Sequence, residues 1–247
     1  MEDFLENRMK KFEKCFSGQY LIPRMPVIIR LDGKAFHTFT KHLKKPYDED
    51  LMNAFKYTML DLCGEVQNCK LAYTQSDEIS LLLTDYETFE TEQWFGGNIQ
   101  KIVSVTASMC TRFFSKYSVT YRRDVNMIDA FFDCRVFSLP KEEVCNYFIW
   151  RQKDCERNSI NSLGQKYFSH KELQEKNINY VKQMLLEQKD VCWEKEITSF
   201  RRGTCVAKVK DHWVIDYVIP IFTEDRNYIE KFVENNNEAK IKIGEVD

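Results

Sequence analysis

The sequence predicts an α+β fold: an antiparallel sheet of the ferredoxin-like, or palm-like, kind with helices on one face, followed by a mainly helical elaboration with a β-hairpin. Three observations predict it. Apolar residues between positions 27 and 137 alternate between period 2 and period 3.6 in the order β-α-β-β-α-β. From Pro140 onward the pattern is mostly helical until a last pair of short strands. A length of 247 residues, with 43% hydrophobic and 30% charged residues, is enough to bury a real core. The predicted division is a palm-like unit over residues 1–138 and an elaboration over 139–247, packed together across a soft boundary with no Pro/Gly/Ser-rich linker.

Taken in order, Val27-Ile28-Ile29-Arg30-Leu31 is a β-branched run after Pro26, and Asp32-Gly33 ends it. Residues 48–63 place Leu51, Ala54, Phe55, Thr58, Met59 and Leu62 on one helical face. Leu71–Thr74 and Ile79–Leu83 are strands around Gln75-Ser76-Asp77-Glu78, which predicts a hairpin turn. A second amphipathic helix turns Ile99, Ile102, Val103, Thr106, Met109, Cys110, Phe113, Phe114 and Tyr117 to the core and Lys101, Ser104, Ser108 and Arg112 outward. A strand near Phe131–Phe137 completes the set. Beyond it, a long helix runs through Trp150-Arg151-Gln152, Ser169-His170-Lys171-Glu172 fits a capping box, and a hairpin spans roughly Thr204–Val218.

Composition removes several chemistries. The apolar run Val214–Phe222 is broken by Asp216 and Pro220 and is too short to span a bilayer. Met1-Glu2-Asp3-Phe4 lacks the pattern of a secretory signal, so a cytoplasmic protein with no membrane partner is expected. The nine cysteines include no C-x-x-C pair, and His37, His42, His170 and His212 form no H-E-x-x-H. Neither a disulfide framework nor a zinc hydrolase is suggested. No G-x-G-x-x-G or G-x-x-x-x-G-K-[ST] is present among the eight glycines, so a nucleotide would have to be held by other means. The net charge of −2 argues against nonspecific coating of DNA.

The carboxylates are the residues with chemistry to offer. In a β-α-β-β-α-β sheet the first and third strands are antiparallel neighbours, so Asp32 at the end of one lies beside Asp77-Glu78 at the start of the other. Two hard cations held by a few carboxylates, with phosphate completing the shell, is a device for in-line phosphoryl transfer. Aspartate in a strand-ending turn also serves the turn itself, and the pattern alone leaves both readings open. The turn Asp32–His37 can offer backbone N–H groups to a triphosphate, and Lys45 and Lys101 can supply charge.

At these residues the sequence resembles a known family. Arg30-Leu31-Asp32-Gly33-Lys34-Ala35-Phe36-His37, Lys45-Pro46 and Gln75-Ser76-Asp77-Glu78 are similar to signature blocks of the tRNA-histidine guanylyltransferases. Asp133-Cys134-Arg135-Val136, Trp150–Cys155 and Arg201-Arg202-Gly203-Thr204 follow in register. The resemblance implies a polymerase-like palm that adds nucleotides in the 3′-to-5′ direction, using two Mg²⁺ ions. A 5′-monophosphorylated tRNA end is activated with ATP or GTP, the 3′-hydroxyl of an incoming GTP or other NTP attacks it, and the triphosphate is trimmed. Carried over by position, Asp32, Asp77 and Glu78 would be catalytic. Asp32, Gly33 and Asp77 would hold the metals. Residues Asp32, Gly33, Lys34, Ala35, Phe36, His37, Lys45, Ser76, Asp77, Lys101 and Arg135 would bind nucleotide, while Arg151, Asn158, Arg201 and Arg202 would meet tRNA. Family members are tetramers, which implies a homotetramer here.

Two departures qualify the match. Eukaryotic members carry His-Ile-Asn-Asn where this chain reads Glu156-Arg157-Asn158-Ser159, and Gly97-Asn98 stands where basic residues often precede Lys101. The first departure resembles the like-protein branch, whose members prefer templated repair of shortened tRNA 5′ ends over untemplated guanosine addition. Two alternatives remain at this stage: a conventional palm enzyme such as a cyclase or forward polymerase, and a catalytically silent tRNA-binding module.

Overall fold

The computed structural model describes residues 4–122, 130–209 and 212–234. Its centre is a six-stranded, wholly antiparallel sheet in the order β4-β1-β3-β2-β5-β6. The strands are β1 Val27–Gly33, β2 Cys69–Gln75, β3 Glu78–Leu83, β4 Phe132–Ser138, β5 Thr204–Val209 and β6 His212–Asp216. The first four have the expected palm arrangement. The C-terminal hairpin continues the same sheet, because β5 pairs with β2 from Leu71↔Ala207 to Thr74↔Thr204. The predicted hairpin turn is tighter than expected: Glu78 is already in β3, paired with Gln75, and only Ser76 and Asp77 turn.

One face of the sheet is covered by α3 (Glu49–Glu65) and α4 (Ile99–Arg122), the two amphipathic helices. Asp48 caps α3 by accepting the Leu51 N–H at 3.0 Å. Ile29, Leu31, Ile79 and Leu81 meet Phe55, Met59, Ile102 and Phe114 there. The opposite face carries Ile28, Leu71, Tyr73 and Leu82 against Val144 and Phe148 of α5 (Lys141–Tyr167) and Ile229 of α9 (Asn227–Val233). This strict alternation fixes which residues of β1 share a face: Arg30 and Asp32 point to the α5 side with Ile28.

A third apolar cluster joins α5 to α7 (Ile178–Lys189) and the segment around Trp193. The capping box opens a single turn, α6 (His170–Leu173), where Ser169 N–H donates to Glu172 at 2.8 Å. Sequence periodicity missed α1 (Phe4–Ser17), whose Phe4, Leu5, Met9 and Phe12 are exposed and mark no core-facing stripe. Among the described residues no helix is long and apolar enough to cross a membrane.

Candidate active site

Strand register builds the site. Asp32 sits opposite Glu78 of β3 on one side and Asp133 of β4 on the other, so three carboxylates cross the sheet in one row. The Ser76-Asp77 turn closes over the end of β1, and the Gly33 N–H donates to the Asp77 carbonyl at 3.1 Å. Glycine is needed at position 33, because a Cβ there would stand 2.2 Å from the Phe36 ring. That ring belongs to a buried cluster with Phe39, Phe55, Phe114 and Phe132, which holds the turn against the core.

The next residues form α2 (Phe36–Phe39), entered through Ala35 in the left-handed region at φ 54°. The expected backbone cradle is narrower than Asp32–His37. Gly33 N–H is taken by Asp77 and Lys34 N–H by Phe131 at 2.8 Å, leaving the Ala35–His37 stretch to face a phosphate. Phe36 contributes only backbone, since its side chain is core. Lys34 is exposed, with its ammonium 5.9 Å from the Phe131 ring.

A cleft of about 430 Å³ opens beside this turn. Its floor is Gly33, Gln75, Ser76 and Asp77, one wall is the loop Leu43–Asp48, and the other is the α5 face with Cys155, Asn158, Ser159 and Ser162. His37, Lys44 and Lys45 line the cationic side. The Tyr47 and Phe200 rings, 4.7 Å apart, supply an aromatic corner that no sequence motif marks. The loop is tied to α5 by Ser162 Oγ, which donates to the Pro46 carbonyl at 2.5 Å. That volume suits a small ligand of mononucleotide size.

The electrostatics single out Asp77. Burial pushes its carboxyl above the usual range, the Ser76 hydroxyl at 3.0 Å opposes that, and the negative charge of Asp32 adds to it. A cation between Asp32 and Asp77 would relieve both burial and repulsion. Among the described residues no group of three or more His, Cys, Asp and Glu could hold a metal by itself. Two carboxylates plus a carbonyl is instead a set that Mg²⁺ shares with water and substrate phosphates.

Glu78 differs. Burial raises its pKa, but Arg151 donates to it at 2.9 Å and Arg30 lies 3.9 Å away, so its negative charge is spent on a buried ion pair. It supports the site from beneath. Arg151 consequently departs from its expected role at tRNA. It is 6% exposed and bound to Glu78 and Asp154, a structural partner of the acidic row. Arg135 joins the row from β4, 3.7 Å from Asp32 and 3.3 Å from Asp133.

Lys101 does not join. It lies in the first turn of α4, where Ile102 packs beside Val27 and Leu83 at the far end of the strands, and its ammonium rests over Phe95 at 4.7 Å. Five residues of strand, about 17 Å, separate Val27 from Asp32. Within one chain Lys101 therefore cannot reach the cleft. Asn158 lines the cleft and donates to Asp154 at 3.4 Å. Arg201 and Arg202 border a separate cavity of about 220 Å³ beside Lys153 and Trp193. Asp133 was missed as a member of the row: the palm order makes β4 a neighbour of β1, but the register that sets Asp133 opposite Asp32 is visible only in the fold.

The family profile for Thg1, tRNAHis guanylyltransferase, matches residues 6–140, the segment that carries Asp32, Asp77 and Asp133. The chain belongs to the Thg1 family. It is therefore a nucleotidyltransferase. A bacterial Thg1-like protein solved in complex with ATP is 42% identical, with a TM-score of 0.89, over 93% of this chain and 99% of that one. The same kind of protein in complex with GTP matches at 39% identity and a TM-score of 0.80, over 93% and 99% of the two chains. The yeast guanylyltransferase, at 19% identity and a TM-score of 0.69 over 84% and 95%, shares the fold. These values put the chain on the Thg1-like side of the family. An uncharacterised mimivirus protein is 28% identical over 76% of this chain and 71% of its own length. A probable tRNA(His) guanylyltransferase of Drosophila melanogaster is 32% identical over 62% of this chain, which spans about half of that protein at 51%.

Proposed function

We propose that this Thg1-family nucleotidyltransferase is Mg²⁺-dependent and adds nucleotides to the 5′ end of tRNA in the 3′-to-5′ direction, in 5′-end repair. The observation that carries the reading is Asp77 in the lining of a cleft of mononucleotide size, with Asp32 at the end of the neighbouring strand near enough for its charge to raise the Asp77 carboxyl. The ATP and GTP complexes of the bacterial Thg1-like relatives support nucleotide as the occupant.

Asp32, Asp77 and the Gly33 carbonyl would hold Mg²⁺, which supplies charge neutralisation and acidifies a reacting hydroxyl. The Ala35–His37 backbone, Ser76 and Lys45 orient the triphosphate of the activating ATP or GTP, while Tyr47 and Phe200 offer a surface to its base. A 5′-phosphate oxygen of tRNA attacks the α-phosphate and pyrophosphate leaves, with Lys45 holding the departing charge. In the second step the 3′-hydroxyl of the incoming NTP attacks the activated phosphate and the nucleoside monophosphate leaves. Arg135, half-exposed and paired with Asp32 and Asp133 on the open side of the row, would turn to hold the incoming triphosphate there. Arg201 and Arg202 touch the RNA backbone further away. With a net charge of −2 per chain, tRNA is gripped by several subunits of a homotetramer, which light scattering would detect as four times the mass of 29.5 kDa.

The test is incubation of 5′-monophosphorylated tRNAs, each lacking its first nucleotide, with Mg²⁺, ATP and all four NTPs. The opposing acceptor-stem base is varied among C, G, A and U. Incorporation that tracks that base on tRNAs of several identities supports templated repair. Guanosine added regardless of the base, and only to tRNA with a histidine anticodon, supports tRNA(His) maturation instead. Extension of a 3′ end or a cyclic product refutes the reading.

A further inference from the structure

The acidic row is flanked by two compartments of different shape. On one side is the cleft, lined by Gly33, Ser76 and Asp77. On the other is an open shelf over β1 and β4, where Arg30 pairs with Arg135 and Asp32 with Asp133 in register. Trp150 stands over this shelf and contributes nothing to the cleft lining.

Packing does not account for Trp150. Its neighbours on α5 do the burying: Tyr147 bonds Ser80 at 2.7 Å, Phe148 is fully enclosed, and Arg151 holds Glu78. Trp150 itself is 53% exposed, a large apolar ring left in water on the active-site side of the sheet. Its orientation is nevertheless fixed. The Arg151 guanidinium lies 3.4 Å from the ring centroid, the Tyr147 ring meets it edge-on at 5.9 Å, and Arg30 approaches to 5.8 Å. Because Arg151 is locked by Glu78 and Asp154, the ring is backed by a guanidinium that cannot swing away.

We propose that Trp150 is a stacking platform for the terminal base pair of the RNA acceptor stem, seating the 5′ end beside Asp32. The inference rests on the 5′-end reading above. A held, flat, exposed aromatic ring is complementary to the flat end of a duplex, and it reads no sequence. A free nucleotide finds walls on several sides in the cleft, whereas the shelf leaves room for a helix to approach. Selection of the incoming nucleotide by pairing also requires the last base pair to be held flat, so that the template base stays stacked and its partner position stays empty.

The test uses full-length protein and a 5′-triphosphorylated tRNA lacking one nucleotide, which needs no activation, with Mg²⁺ and the pairing NTP. Trp150→Ala raises KM for this RNA by about 5- to 150-fold, the range of one stacked base, and leaves KM for the NTP unchanged. Trp150→Phe recovers most of the loss. A mismatch that frays the terminal pair weakens the wild type but has no further effect on Trp150→Ala. Unchanged KM for RNA, or a rise in KM for the NTP alone, overturns the proposal. Fluorescence provides a second readout that needs neither turnover nor the alanine variant. A blunt acceptor-stem duplex quenches emission in the wild type more than in Trp150→Phe, and equal quenching also overturns it. If the wild type extends no 5′ end, the functional reading fails by itself, while the duplex titration still decides whether Trp150 stacks.

Discussion

Replacing Arg151 with Met tests whether the acidic row stands on a buried ion pair. Glu78 and Arg151 are 8% and 7% exposed at their side chains, and one guanidinium nitrogen serves both Glu78 at 2.9 Å and Asp154 at 3.5 Å. Removing one partner of such a pair costs about 3–5 kcal/mol, because the other charge is left buried and unpaired. Two features place this case at the low end. Arg30 remains 3.9 Å from Glu78, and Arg151 Nε already lacks a partner, so the wild-type arrangement is imperfect. The expected loss is therefore about 3 kcal/mol, or a fall in Tm of about 6–12 °C for a chain of this size. The pH dependence has a definite sign. Glu78 is already raised by burial, and losing Arg151 raises it further. A carboxylate raised in the folded state costs stability as pH climbs through its folded pKa, so the deficit is largest at neutral pH and shrinks in acid. Urea denaturation at several pH values measures it. The double variant Arg151→Met/Glu78→Gln should regain most of the stability. Arg157→Ala, which removes a 60% exposed partner of Asp154, should change stability by about 1 kcal/mol or less. A deficit for Arg151→Met no larger than that of Arg157→Ala, or one that does not vary with pH, would refute the reasoning.

Asp32→Asn and Asp77→Asn should each lower the rate of nucleotide addition on the order of 10³-fold or more, with circular dichroism and tRNA binding retained. Near-wild-type turnover in either sinks the metal assignment. Because burial and the charge of Asp32 raise the Asp77 carboxyl, protons compete with metal there at higher pH than at an ordinary carboxylate. The Mg²⁺ concentration for half-maximal rate should rise in acid, and the rise should begin at a higher pH in the wild type than in Asp32→Asn, which removes the neighbouring charge; an identical profile in both would contradict that. Lys45→Ala should slow activation of a 5′-monophosphate end much more than addition to a 5′-triphosphate end, and equal slowing would remove Lys45 from the activation step.

Much of the fold was legible because its core elements are strongly periodic. The faces of α3 and α4 and the hairpin between β2 and β3 follow from apolar spacing, and antiparallel pairing of β1 with β3 then brings Asp32 to Glu78. Other features carried no such signal. Helix α1 turns its large apolar residues outward, so the periodic test for a buried face has nothing to detect. The hairpin β5–β6 was visible, but its attachment to β2 was not, since strand pairing across 130 residues leaves no local pattern. Lys101 shows the limit of a residue carried over by position: its helix places it, and α4 begins at the Val27 end of the sheet, out of reach of the cleft within one chain.

The block that departs from the eukaryotic pattern, Glu156-Arg157-Asn158-Ser159, is a unit in sequence but not in space. At about 100° per residue, α5 divides it between two faces. Asn158 and Ser159 turn into the cleft, where Asn158 bonds Asp154 and Ser159 Oγ accepts the Trp193 indole N–H at 3.0 Å. Arg157 is exposed on the outside, and Glu156 borders the separate cavity with Arg201 and Arg202. The cleft-facing half touches the helix turn that carries Arg151 and Asp154, and through them Glu78 and the acidic row. Asn158 keeps the first Asn of the eukaryotic block, so Ser159 is the departing position that lines the cleft, while Arg157 reaches Asp154 from outside and Glu156 borders the separate cavity. Exchanging the two halves separately, rather than the block as a whole, separates a change in nucleotide choice from a change in the RNA that is accepted.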